Sequence, residues 1–208
     1  MITKFFETDK IELDKNKFIL LYGQNNGLKY ETIKNLIKKE EGVFNYDEKE
    51  ILDETNSFLE QIFSKSLFEE EKTVIINRAT DKILEIIEKI DLKKIDDLKI
   101  IILANNLEKR SKLRVFFEKH KIYLCIPFYP DNNQTLSKIA YNFFKECKIV
   151  ISSENINLII SKCNGDRETL QNELNKIKHL SKTKKNITGE DISRLANLIE
   201  NISISELV

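Results

Sequence analysis

Five short runs of apolar, largely β-branched residues recur in the first part of the chain: Phe18 to Tyr22, Val43 to Tyr46, Thr73 to Asn77, Lys99 to Ala104 and Ile122 to Ile126. Runs of this length, bounded by polar and turn-forming residues, predict strands. Between them apolar residues return every three or four positions, the period of an amphipathic helix. Examples are Tyr30, Ile33 and Ile37, then Ile51, Leu52, Thr55, Leu59 and Ile62, then Ile83, Ile86, Ile87 and Ile90, then Leu113, Phe116 and Phe117. Strands that alternate with helices imply crossover connections and a largely parallel sheet covered on both faces. Ile100-Ile101-Ile102-Leu103 has no polar interruption, as expected of a central strand buried on both sides.

The pattern changes at Pro127-Phe128-Tyr129-Pro130-Asp131-Asn132-Asn133, where two closely spaced prolines are expected to stop regular structure. Beyond them the periodicity predicts helices over Gln134 to Glu146, Ser153 to Cys163, Asp166 to Leu180 and Thr188 to Glu200. Asn164-Gly165 is a helix stop, and Thr188-Gly189-Glu190-Asp191 reads as a cap with acids in the first turn. Tyr141, Phe143 and Phe144 fall at helical spacing and are expected in the core. Residues 1–130 are therefore expected to form an α/β domain and residues 131–200 a small helical domain. Residues 201–208 open an apolar pattern that stops at Val208, which suggests the start of a linker or helix into a further domain.

Composition narrows the function classes. Lys plus Arg and Asp plus Glu both number 34, so the formal net charge is zero. A free-standing nucleic-acid binder usually carries a basic excess, because neutralising phosphates supplies much of its affinity. DNA binding by this chain alone is not expected. The three cysteines, Cys125, Cys147 and Cys163, are scattered, and the histidines are His120 and His179 only, which excludes a Cys/His zinc site and suits a reducing compartment. No charged-then-apolar leader opens the chain, and no apolar stretch approaches the roughly 20 residues of a membrane helix. The expectation is a cytoplasmic protein with no membrane partner, no metal and no cofactor.

The segment after the first apolar run carries the first chemical signal. Gly23-Gln24-Asn25-Asn26-Gly27-Leu28-Lys29-Tyr30 stands where a nucleotide-binding α/β fold places its glycine-rich turn. A working phosphate loop needs a Lys directly after the last Gly to reach the β- and γ-phosphates, then a Ser or Thr hydroxyl for Mg²⁺. Here those positions are Leu28 and Lys29. The third strand ends Ile75-Ile76-Asn77-Arg78, where an ATPase of this architecture needs acidic residues for Mg²⁺ and water. Gly23, Gly27 and Lys29 thus mark a degenerate nucleotide loop that is not expected to bind, and ATP hydrolysis is expected to be lost. The alternative is an active NTPase or nucleotide-dependent regulator that uses Lys29 one position late.

A second signal is Ser66-Leu67-Phe68, set between Ser64-Lys65 and Glu69-Glu70-Glu71. Two apolar groups in so polar a setting either fold back onto the core or anchor an interface with a partner, the polar neighbours forming its rim. Basic runs occur at Lys109, Arg110, Lys112 and Arg114 and at Lys176, Lys178, Lys182, Lys184 and Lys185. Such runs are usually solvated faces, and Lys109, Arg110 and Lys112 are the candidates for contact with DNA or a neighbouring subunit.

In their order and spacing these segments resemble the delta subunit of the bacterial DNA polymerase III clamp loader. The resemblance runs through Phe18-Ile19-Leu20-Leu21-Tyr22-Gly23, Ser66-Leu67-Phe68 leading into Thr73-Val74-Ile75-Ile76, Glu108-Lys109-Arg110-Ser111-Lys112-Leu113, and Gly165-Asp166 with Leu170, Asn172, Glu173, Leu174 and Lys176. It implies an AAA+-like fold, a RecA-like α/β domain of five parallel strands followed by a helical lid, with a C-terminal collar domain beyond Val208. It also implies a non-catalytic subunit that binds the ring-shaped sliding clamp and opens it, or holds it open, for loading onto primed DNA. Polymerase activity would belong to the assembled holoenzyme. The implied partners are the clamp, the gamma/tau and delta prime subunits, and primed DNA only within the complex. Ser66, Leu67 and Phe68 match the family's clamp-binding element, with Leu67 and Phe68 as its hydrophobic plug. In active relatives an arginine that senses nucleotide stands three residues past the lid glycine. That position is Glu168 here, with Arg167 one earlier. Asn105 stands where active relatives carry a polar sensor and reads as a turn residue.

Overall fold

The computed structural model describes residues 16–37, 42–64, 71–120, 122–184 and 187–195. Their elements, in chain order, are β1 (Phe18–Gly23), α1 (Asn26–Leu36), β2 (Val43–Asp47), α2 (Glu48–Asp53), α3 (Thr55–Phe63), β3 (Lys72–Ala79), α4 (Leu84–Leu92), β4 (Leu98–Ala104), α5 (Lys112–Lys119), β5 (Leu124–Phe128), α6 (Asn133–Glu146), α7 (Ser153–Ile160) and α8 (Arg167–Leu180). A further helical stretch covers 189–195. By its contacts the chain divides into two compact units. The first holds the described residues up to Gln24 and from Lys29 to Tyr129; the second holds Asn25–Leu28 and the described residues from Pro130 onward.

In the first unit five parallel strands form one sheet in the order β2-β3-β4-β1-β5. The apolar runs fit this order, since β1 and the Ile100–Leu103 stretch of β4 are uninterrupted and both strands lie inside the sheet. Every residue of β1 is buried, and so is every residue of β4, including Lys99, whose ammonium meets Glu71 at 2.6 Å. Register pairs Leu20 with Ile102 on one side and with Cys125 on the other. One face of the sheet, carrying Phe18, Leu20, Ile76, Ile100 and Ile102, packs with Phe58, Ile87, Ile90 and Phe117 of the helices. Each such fully buried aliphatic or aromatic side chain contributes about 1.5–3 kcal/mol relative to exposure.

Three expectations change. The fifth strand begins at Leu124, not Ile122, and runs through Pro127, which pairs with Tyr22. Proline is tolerated there because β5 lies at the edge of the sheet, where a missing N–H costs no ladder bond. The helical stretch after β2 is broken at Glu54, whose non-helical φ of −126° and ψ of 46° close α2 and open α3. Tyr141 is 60% exposed, whereas Phe144 is fully buried, because α6 turns Leu136, Ala140 and Phe144 toward the core and position 141 away from it.

The second unit is a helical cluster whose core takes Leu136, Ala140 and Phe144 from α6, Ile156, Ile159 and Ile160 from α7, and Leu170, Leu174 and Ile177 from α8. The polar signals fall at its helix starts. Asn132 accepts from Thr135 N at 2.8 Å and Ser152 from Asn155 N at 3.2 Å. Thr188 and Asp191 cap one another across the first turn of the last stretch, as the Thr-Gly-Glu-Asp pattern predicts. Asn164 and Gly165 both adopt positive φ, 46° and 79°, and turn the chain into α8. None of the described helices is long and apolar enough to cross a membrane.

Candidate functional site

β1 ends at Gly23 with φ of 129°, a conformation that favours glycine. A Cβ there would lie 2.1 Å from the Phe128 carbonyl oxygen, so only glycine lets the end of β1 approach β5 this closely. Gly23 N donates to the Asn105 carbonyl at 3.2 Å. Leu28, in the position a phosphate-binding lysine would take, is a buried apolar side chain. Lys29 follows and is 3% exposed. Its ammonium donates to the carbonyl oxygens of Gly23 and Ala104, each at 2.8 Å, at the C-terminal ends of β1 and β4. A cation held by strand-end carbonyls is directed at the backbone and not outward from the loop.

The turn itself, Asn25–Leu28, belongs to the second unit. Asn25 is fully buried, and its side-chain oxygen accepts from Leu28 N at 3.1 Å and from Arg167 N at 3.3 Å. Asp166 Oδ1 likewise accepts from Gly27 N at 3.1 Å and from Glu168 N at 3.0 Å. One amide and one carboxylate therefore each cap two helix starts, those of α1 and α8. Asp131 braces the arrangement, accepting from Asn25 Nδ2 at 2.9 Å and from Arg167 Nε at 2.7 Å. Gly27 is required because a Cβ would lie 2.2 Å from Glu168 N. Gly165 plays the matching part, with its carbonyl accepting from Asp131 N at 2.8 Å and no room for a Cβ against Pro130.

At the end of β3 the register shifts between Ile76 and Ala79, and Arg78 adopts φ of 56°. Asn77 Nδ2 donates to the Tyr46 carbonyl at 3.2 Å, and Arg78 pairs with Asp47. Both side chains are thus tied to β2. Among the described residues no group of three or more His, Cys, Asp or Glu could hold a metal ion.

The remaining candidates separate. Lys109, Arg110 and Lys112 are exposed, with Arg110 Nε 2.7 Å from Glu108. Arg114 is committed internally, donating to Glu118 at 2.7 Å and lying 5.0 Å from the Tyr22 ring centroid. Burial pushes the Tyr22 hydroxyl up to about 12. In the second basic run Lys176 pairs with Glu173, Lys184 with Asp191 at 2.7 Å, and Lys178 lies over Phe143. Lys185 lies outside the described residues, as do Ser66, Leu67 and Phe68. The parts played by Asn25, Asp131 and Asp166 are not visible in the sequence. The nearest signal for them is that Asp166 follows Gly165, the position of a helix cap.

No protein-family model matches the chain, and no curated protein matches it. Solved structures do. A Bacillus subtilis DNA clamp loader delta protein is 18% identical with a TM-score of 0.51, over 92% of this chain and 62% of its own. The Thermotoga maritima RuvB Holliday junction branch migration motor is 13% identical with a TM-score of 0.59, over 88% of this chain and 61% of its own. Domain III of the Thermotoga maritima replication initiation protein DnaA is 15% identical with a TM-score of 0.57, over 90% of this chain and 86% of its own. The chain thus spans less than two thirds of the first two. At these identities the likeness is one of fold, and with the parallel order β2-β3-β4-β1-β5 it gives this chain a RecA/AAA+-like α/β fold.

Proposed function

We propose that this chain is a non-catalytic subunit of a replicative clamp loader, of the delta type, which binds the sliding clamp and opens its ring or holds it open for loading onto primed DNA. The observation that carries the reading is the state of the phosphate loop. The ammonium of Lys29 is bound to the Gly23 and Ala104 carbonyls, and Asn77 and Arg78 stand where Mg²⁺ would need acids. A glycine-rich turn without a lysine directed at phosphate, and without a metal-binding acid, lacks the groups that stabilise a phosphoryl transition state in P-loop enzymes. The fold shared with a clamp loader delta protein supports the same reading.

Clamp binding rests on Leu67 and Phe68 in the segment between α3 and β3. The flanks of that segment are tied together, since Lys72 Nζ donates to the carbonyls of Gln61 at 2.9 Å and Ser64 at 3.3 Å. Insertion of Leu67 and Phe68 into an apolar pocket on the clamp would contribute roughly 1.5–3 kcal/mol each. Together that is about two to four powers of ten in affinity. The neighbouring gamma/tau and delta prime subunits would complete the loader, with Lys109, Arg110 and Lys112 available to a subunit or to DNA.

The test is capture of the purified chain by its own sliding clamp, beside the double variant Leu67→Ala, Phe68→Ala, with ATP turnover measured on the same preparations. The reading expects capture by the wild-type chain, loss of capture by the double variant at unchanged helicity, and no turnover. Equal capture by both proteins, or none by either, sinks the clamp-binding reading. ATP turnover that disappears in Lys29→Met would instead establish the alternative, an NTPase that uses Lys29.

A further inference from the structure

We infer that Lys99, a buried lysine inside the sheet, is a positioning residue for the segment that carries Leu67 and Phe68, with Lys72 as its counterpart on the opposite face. This role rests on the reading of Leu67 and Phe68 as the clamp anchor and names what fixes the base of that anchor.

A lysine is out of keeping with its strand. β4 reads Leu98-Lys99-Ile100-Ile101-Ile102-Leu103-Ala104, every residue of it is buried, and Lys99 itself is 6% exposed. Burying an ammonium is costly unless a partner offsets the lost hydration, and an apolar side chain of similar volume often serves a fold as well or better. The sheet itself gives no reason for a cation here. The reason lies with the partner, because the Lys99 ammonium meets Glu71 Oε2 at 2.6 Å. Glu71 stands directly after the segment that carries Leu67 and Phe68 and directly before β3. Its side chain is 57% exposed, so a buried group holds in place a carboxylate that water would otherwise surround.

The next residue is held from the other face. Side chains alternate along a strand, and Lys72 shares the face of Val74 and Ile76, which packs with Phe58 and Ile62 of α3. Its ammonium donates to the carbonyls of Gln61 at 2.9 Å and Ser64 at 3.3 Å, at the end of α3 where the segment starts. Lys99 stands beside Thr73 in the register, on the opposite face. The main chain is gripped as well, since Lys72 N donates to the Asp97 carbonyl and Thr73 N to the Gly42 carbonyl, each at 2.8 Å. Gly42, with φ of 76°, passes so close that a Cβ would lie 2.5 Å from the Glu71 carbonyl oxygen. Both flanks of the segment are thereby fixed to the sheet. An apolar pair carried between fixed flanks has less conformational entropy to lose when a partner's pocket takes it.

The test replaces each lysine by an apolar side chain of similar length. Capture by the sliding clamp and the melting temperature are measured for the wild-type chain, Lys99→Met and Lys72→Met. Removing the Lys99 ammonium leaves Glu71 in contact with water and leaves no uncompensated buried charge, so the melting temperature of Lys99→Met is expected to stay level or rise. Clamp affinity is expected to fall at least about tenfold in both variants. Affinity lost without stability is a result that a purely structural lysine does not give. Equal capture by the three proteins overturns the inference, and so does a melting temperature that falls along with capture. If the wild-type chain is not captured, the clamp-binding reading fails and amide hydrogen exchange decides the positioning role on its own. Faster exchange at Ser64 and at residues 71–73 in the variants, with β1 unchanged, upholds it, and unchanged exchange overturns it.

Discussion

The side-chain ammonium of Lys29 lies 2.8 Å from the main-chain carbonyl oxygen of Ala104, the last residue of the central strand β4. The same ammonium lies 2.8 Å from the carbonyl of Gly23, the last residue of β1, so one cation ties the ends of two neighbouring strands. In a loop that binds nucleotide, a lysine is directed at phosphate; here it completes the backbone hydrogen bonding of the sheet.

That placement makes Lys29 a stability residue. Lys29→Met keeps much of the aliphatic stem but leaves the Gly23 and Ala104 carbonyls without this donor in a site that is 3% exposed. A buried polar group stripped of its partner costs about 1–3 kcal/mol. Urea denaturation of Lys29→Met is expected to show a loss of about 2 kcal/mol at unchanged slope. Lys29→Arg is not expected to restore it, because a planar guanidinium does not fit where a compact ammonium serves two converging carbonyls. A loss of less than about 0.5 kcal/mol, the range of ordinary surface changes, would remove Lys29 from this structural role.

What could be read from the chain follows the range of each interaction. β1 and the Ile100–Leu103 stretch of β4 are continuous apolar runs, so their burial inside the sheet follows from local pattern alone. Leu28 and Lys29 stand out in the sequence as departures from the phosphate-loop pattern, because such a loop is defined by adjacent positions. Pro127 misled, since whether a proline can sit in a strand depends on whether that strand is at an edge, which is a property of the sheet. Tyr141 misled because three aromatics within four residues of one helix cannot all face inward. The network around the loop was out of reach for a different reason. Asn25 meets Asp131 across 106 positions and Arg167 across 142, and nothing in the local sequence pairs an amide with residues so distant.

The cysteines yield a chemical test of the two cores. Burial pushes the Cys125 thiol up to about 12, helped by the negative charge of Glu118, and the Cys163 thiol up to about 11, helped by Glu173 and Asp166. Cys147, at the end of α6, is only partly covered. Because the thiolate is the nucleophile, a native chain treated with a thiol reagent at neutral pH is expected to label at Cys147 and to protect Cys125 and Cys163. All three react once the chain is unfolded. Fast labelling of Cys125 in native buffer would mean that β5 is not packed as described.

Asp81 supplies the pH dependence. It follows β3, and its carboxylate accepts from Ser111 Oγ at 2.5 Å, Lys112 N at 3.0 Å and Leu113 N at 3.1 Å, capping the first turn of α5 from another part of the chain. Partial burial alone would raise its pKa, but the hydrogen bonds from Ser111, Leu113 and Lys112 and the Lys112 charge outweigh it and hold the carboxyl below its ordinary value. A carboxylate depressed in the folded state contributes stability above its unfolded pKa of about 3.9 and loses it as pH falls through the folded value. Asp81→Asn is therefore expected to cost about 1 kcal/mol at pH 7, in line with loss of a capping group. The gap between the two proteins should shrink in urea melts as the buffer is taken below about pH 4, where the wild-type carboxyl protonates too. Melts at neutral, mildly acidic and strongly acidic pH decide it. A gap that stays constant into the strongly acidic range would show that the charge of Asp81 contributes nothing to the cap and that its shape alone matters.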